Sequence, residues 1–136
     1  MRMKPRLTTA DVRQIAAACR DAAQRHKFCV TIAIVDDAAQ LLYLERLDAR
    51  PLTVDVALGK ARTAVMTHRP SGVWQARVQE APNLMALDLL PLRGALPLLY
   101  QGECVGAIGV SGVTSEEDEL VAQAGVDALA ALSIDI

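Results

Sequence analysis

The sequence predicts an α+β fold: an antiparallel β-sheet of about five strands, built from two hairpins and flanked by helices. Three observations carry this prediction. Residues 28–47 and 95–110 each read as two short apolar runs joined by a turn, the pattern of a hairpin. The stretches around them repeat apolar residues at helical spacing. The resulting order is helix, hairpin, helices, hairpin, helix, which favours strands pairing with their sequence neighbours over a βαβ array.

Composition bounds the rest. The chain has 136 residues, which suits one domain spanning 1–136 with a sizeable core. Hydrophobic residues make up 52% of it and aromatic residues 3%, so Ala, Val and Leu must fill that core. The formal net charge is -2 and no long basic run occurs, which argues against a nucleic-acid partner. No apolar stretch is long enough to span a bilayer. The basic start MRMKPRLTTADVRQI has no apolar core after it, so a cytoplasmic location is expected. Cys19, Cys29 and Cys104 are odd in number and widely spaced, and are expected as small core residues rather than disulfide or zinc ligands.

Residues 1–7 read as a loose start. Thr8 or Thr9 caps a first helix to about His26, with Asp11 favouring its positive end. Phe28 to Val35 is an apolar, β-branched strand, Asp36 to Ala39 a turn, and Gln40 to Leu47 the returning strand. On that second strand Leu42, Leu44 and Arg46 share a face. Thr53 caps a second helix, which Pro70 stops. Ser71 caps a short third helix to about Gln79, and residues 80–93 read as a loop with one helical turn or a short strand near 84–90. Ala95 to Tyr100 and Glu103 to Val110 form the second hairpin. Ser115 caps the last helix, with Asp118 as its capping-box partner and Leu120, Val121, Ala124, Ala128, Leu129 and Leu132 facing inward.

The richest stretch is Tyr100 to Asp118, where Gly106, Gly109 and Gly112 recur at every third position of a strand. Such glycines mark the close approach of a backbone, side chain or ligand. The spacing is not that of a dinucleotide or P-loop motif, and the next helix opens with Glu116, Glu117, Asp118 and Glu119, which repel a phosphate. His68 sits at a helix end, where it either caps the negative dipole or turns into a pocket to ligate a metal or haem iron or to move protons. His26 reads as a solvated cap. No motif for a dedicated metal site or an acyl-transfer serine occurs. Arg46 and Lys60 lie beside apolar elements and together can hold a carboxylate, or else pair internally with Asp48 or Asp36.

Several motifs together resemble the GlcG/HbpS-like family, also found as the C-terminal domain of PduO-type corrinoid adenosyltransferases. They include Ala33-Ile34-Val35-Asp36-Asp37, Leu44-Glu45-Arg46-Leu47-Asp48, Leu58-Gly59-Lys60-Ala61-Arg62-Thr63-Ala64, Arg69-Pro70-Ser71, and Gly106-Ala107-Ile108-Gly109-Val110-Ser111-Gly112. The resemblance implies a sheet between helices with a profilin- or PAS-like look, and self-assembly from dimers up to octamers. It implies haem as the best-known ligand, and for one related group a lyase activity on hydroxylaminobenzoate. Some members sit in catabolic operons. Three positions depart from the family pattern: Ala39 and Ala95 stand where it has glycine, and His68 where it has another residue.

The leading expectation is therefore a homo-oligomeric ligand-binding protein, for haem or a related tetrapyrrole. Its pocket is expected between the glycine strand, the Lys60 helix and the Arg93–Pro97 loop, lined by Arg46, Lys60, Arg93, Gly94, Gly106 and Gly109. His68 is the candidate haem ligand, or only a helix cap, and no other metal is expected. The alternative is a small cofactor-independent enzyme, lyase-like, acting on an aromatic or short-chain carboxylate, with Asp48, His68 and Glu103 as acid–base candidates. A third reading is a packing subunit of another enzyme.

Overall fold

A computed structural model of the protein describes residues 1–132. The first helix, α1 (Thr9–Arg25), begins with a capping box: the Thr8 hydroxyl accepts from the Asp11 N–H, and the Asp11 carboxylate accepts from the Thr8 N–H. A hairpin of β1 (Thr31–Asp36) and β2 (Leu41–Arg46) follows, then α2 (Leu52–Thr67) and α3 (Ser71–Glu80). A 3-10 segment (Pro82–Leu87) leads to the hairpin of β3 (Ala95–Tyr100) and β4 (Glu103–Ser111), and α4 (Ser115–Leu132) completes the described chain. Among the described residues no helix is long and apolar enough to cross a membrane.

The sheet is antiparallel with the order β2-β1-β4-β3. It has four strands, not five. The 84–90 stretch adds no strand because its backbone is spent elsewhere: Pro82 starts a 3-10 turn, and the Leu90 N–H donates to the Thr63 hydroxyl at 2.9 Å. The two central strands are buried along nearly their whole length, so they read as continuous apolar runs rather than alternating ones.

Side-chain size sorts the two faces. Ile32, Ile34, Leu98, Ile108 and Val110 join Ile15 and Cys19 of α1 and Val121 and Leu129 of α4 in the larger core cluster. On the other face Val35, Ala95, Cys104 and Ala107 meet Ala61, Ala64 and Val65 of α2. Small residues there let α2 approach closely. A Cβ on Gly109 would overlap the Ala57 carbonyl oxygen and sit 2.7 Å from the Ala61 nitrogen. The glycine is therefore the seat of α2 on the sheet.

Several local expectations shift by a residue or a face. Thr53 does not cap α2. The cap is Pro51, and the Thr53 hydroxyl donates to the Arg50 carbonyl at 2.6 Å. Ser71 does not cap α3, because its hydroxyl accepts the Ala95 N–H at 3.0 Å. The last helix is capped by Thr114 with Glu117, one residue before the expected pair. That frees Asp118 to turn inward, and Leu120 is exposed while Ala122 and Gly125 take the buried face. Cys19 and Cys104 are buried but Cys29 is exposed, because it lies just before β1 begins. The N-terminal segment is held down: Leu7 is buried, Arg2 pairs with Glu103, and Lys4 pairs with Asp37 at 3.1 Å.

Candidate functional site

The polar residues singled out in the sequence fall at three separate places. The first is the end of the sheet where β4 stops. There Arg46 of β2 stands opposite Thr31 of β1, and Thr31 opposite Ser111 of β4. Thr31 and Thr53 are buried and their hydroxyls are 2.7 Å apart. Thr53 spends its proton on Arg50, so Thr31 is the donor of that pair. Arg46 and Asp48 are exposed beside this row, and Asp48 has a left-handed backbone with φ 54°.

Lys60 lies nearby but is committed to the interior. Its side chain is 4% exposed, and its ammonium donates to the Asp118 carboxylate at 3.0 Å and to the Val110 carbonyl at 2.9 Å. The other Asp118 oxygen accepts the Val113 N–H at 3.1 Å. The internal partner of Lys60 is thus Asp118, not Asp48 or Asp36. Burial raises the Asp118 carboxyl above its ordinary range, and the Lys60 ammonium pulls the other way. The pair ties the middle of α2 to the junction of β4 and α4.

Gly94 closes the top of this pair. Its φ is +140°, and a Cβ there would sit 2.6 Å from the Lys60 nitrogen and 2.7 Å from the Val110 carbonyl oxygen. Only glycine fits both the backbone angle and the space. The next residue, Ala95, is ordinary extended strand paired with Gly109, so nothing in its backbone requires glycine. Arg93, half-exposed, forks onto Glu119 with two hydrogen bonds of 3.1 Å, and its N–H donates to the Gln75 side chain at 2.8 Å. Gly106 packs against the Val35 carbonyl and the Leu7 side chain. The glycine strand, the Lys60 helix and the 93–97 segment therefore meet directly, with the Lys60–Asp118 pair between them.

Glu103 and His68 lie elsewhere. Glu103 opens β4 while Ser111 ends it, so the two ends are about 26 Å apart at the usual strand rise. Glu103 pairs with Arg2. His68 is the exposed C-cap of α2 with φ 57°, about 12 Å along the helix axis from Lys60. Asp118, Glu119 and the Thr31–Thr53 pair are the residues that sequence reasoning missed. The sequence around Asp118 fits two overlapping capping boxes, Thr114 with Glu117 and Ser115 with Asp118, and the pattern alone does not choose between them.

The clearest surface hollow near α2 has a volume of about 640 Å³. It lies between that helix and residues 87–90, with Met66, Leu87, Leu89 and Leu90 on its walls and one charge of each sign, Arg62 and Asp88. Among the described residues no group of three His, Cys, Asp or Glu side chains could hold a metal ion.

Comparison with known proteins adds the context for these motifs. The family described as "Haem degrading protein HbpS-like" matches residues 7–127. Protein GlcG of Escherichia coli K12 is 34% identical over 114 residues, covering 82% of this chain and 85% of that protein. The crystal structure of a double mutant of HbpS from Streptomyces reticuli superposes with a TM-score of 0.88 at 32% identity, over 95% of this chain and 90% of that one. A crystal structure of PduOC in complex with haem superposes with a TM-score of 0.85 at 26% identity, over 91% and 95% of the two chains.

Proposed function

Because the chain belongs to the HbpS-like family of haem-degrading proteins, we propose that it binds haem or a closely related tetrapyrrole, as a cytoplasmic homo-oligomer. The observation that carries the reading is the similarity, over nine-tenths of the chain, to a structure that holds haem.

The residues present fit such a ligand at the α2 hollow. Its walls of Met66, Leu87, Leu89 and Leu90 offer an apolar surface, in keeping with a chain poor in aromatic residues. Arg62 supplies positive charge for propionate groups. The exposed Met66 thioether on that wall, and the exposed His68 imidazole outside the lining at the end of α2, are donor types that haem iron accepts, and the bound iron would supply the redox or ligand chemistry. Lys60 holds the floor of the helix rather than the ligand.

Haemin titration of the purified protein tests this. A Soret band that shifts and saturates at one haem per chain is expected, weakened in His68→Ala and in Met66→Ala. Absence of a shift overturns the haem reading. A shift left intact in both variants moves the ligand away from this hollow.

Self-assembly is supported by unmatched apolar surface. Leu41 and Leu44 lie exposed on the edge strand β2, and Met85 and Leu92 on the segment after α3. Light scattering after size exclusion should give a mass above the 14.6 kDa of one chain, and a monomer at micromolar concentration removes this part of the proposal. No observation favours the enzymatic alternative: of its expected carboxylate holders, Lys60 is occupied by Asp118, and its acid–base candidates lie at different places.

A further inference from the structure

A second hollow, of about 720 Å³, lies on the opposite side of the sheet from α2. It runs between the start of α1 and the β1–β2 hairpin and is within the roughly 300–1,000 Å³ range of small-molecule sites. Leu7, Val12 and Leu42 line it, with Tyr43. Tyr43 is fixed there: its hydroxyl donates to Glu45, and Arg20 bonds both Glu45 at 2.8 Å and the Tyr43 oxygen at 3.2 Å.

Two guanidinium groups, Arg6 and Arg13, line the same hollow. Their basic neighbours each have a carboxylate: Arg2 has Glu103, Lys4 has Asp37, and Arg20 has Glu45. Among the described residues Arg6 and Arg13 have none. Of the nearby acids, neither Asp11 nor Asp36 forms an ion pair with them among the described residues. Asp11 is spent on the Thr8 N–H, and one Asp36 oxygen accepts the Ala38 and Gln40 N–H groups at 2.9 and 3.0 Å. Asp36 is the one carboxylate on the lining, against two cations, so the hollow keeps a positive balance.

From this juxtaposition of an apolar floor and two unpaired guanidiniums we propose a second ligand site, for an organic carboxylate with an apolar body. The carboxylate sits between Arg6 and Arg13, where a guanidinium fork matches its two oxygens. The body lies along Leu7, Val12, Leu42 and the Tyr43 ring. Acids lacking the body lose the buried area, and neutral amides of the same shape lose the charge.

Hexanoate, acetate and hexanamide separate these contributions. With ¹⁵N-labelled protein, hexanoate should give saturable amide shifts at Thr8, Thr9, Val12 and Leu42. Acetate and hexanamide should bind about tenfold more weakly or worse, a loss of about 1.4 kcal/mol each. The double variant Arg6→Gln/Arg13→Gln should lose about tenfold in hexanoate affinity. Both residues are exposed, so its spectrum away from the hollow should be unchanged. Leu42→Asp, also at an exposed position, should abolish binding by placing a carboxylate on the floor. No saturable shift with hexanoate, shifts that map elsewhere, or full affinity in the double variant each overturn the proposal. The haem reading is judged separately, by the Soret band and by variants of the α2 hollow.

Discussion

Replacing Lys60 by Met strands a buried carboxylate, and the structure sets both the size of the penalty and its dependence on pH. Removing one partner of a buried ion pair costs about 3–5 kcal/mol. Here the cost has a ceiling, because Asp118 can escape it by taking up a proton. Neutralising a carboxyl from its ordinary pKa of about 3.9 costs about 4 kcal/mol at pH 7 and about 1.5 kcal/mol at pH 5, at 1.36 kcal/mol per unit. Asp118 already has a raised pKa in the folded protein because it is buried. A carboxyl with a folded pKa above its unfolded one favours folding at low pH, and that gain is lost as pH rises through the folded value. Removing the ammonium raises the folded value further, so the penalty of Lys60→Met should shrink steadily from pH 7 to pH 5. Asp118→Asn strands the cation instead. It keeps an acceptor for the Val113 N–H, so charge is the main loss. Urea unfolding of both variants at pH 5, 7 and 9 measures this. Penalties below about 1 kcal/mol, or a Lys60→Met penalty that does not shrink toward pH 5, would refute the view that this pair is buried and charged.

Other substitutions probe the packing. Gly109→Val should destabilise by about 3 kcal/mol or more, since the new side chain meets the Ala57 and Ala61 backbone rather than a flexible neighbour, and thermal unfolding reads the loss. Ala39 has φ 62° in the β1–β2 turn, so Ala39→Gly should raise stability by about 0.5–1 kcal/mol, and an unchanged or lower value contradicts the strain argument. A thiol reagent at neutral pH should label Cys29 quickly in the folded protein. Cys19, buried and with its pKa pushed up to about 12, should react only on unfolding.

Much of this protein was legible in the residues themselves. The helices, both hairpins and the antiparallel order follow from apolar period, turn residues and caps, which are local properties. The family motifs were legible too, and with them Gly109, read as a point of close approach on the strand. The capping register of α4 was not, because two overlapping boxes satisfy the same local rule and only the demand of Lys60 decides which acid turns inward. The fifth strand failed for a related reason: the hydroxyl that claims the Leu90 backbone is on Thr63, 27 residues away.

The chemistry of the site separates along the same line. Sequence alone determined that Arg46, Lys60, Arg93 and His68 exist beside apolar elements. It did not determine which of them are free. Lys60 meets a partner 58 residues away and Arg93 one 26 residues away. The first meeting depends on where α2 lies against the sheet, which a glycine seat that lets two backbones touch sets, and the second on how α4 packs beside β3. That Arg6 and Arg13 have no carboxylate partner among the described residues was equally invisible, because being unpaired is a property of everything within reach rather than of a residue or its neighbours in the chain. Only the tertiary structure assigns it.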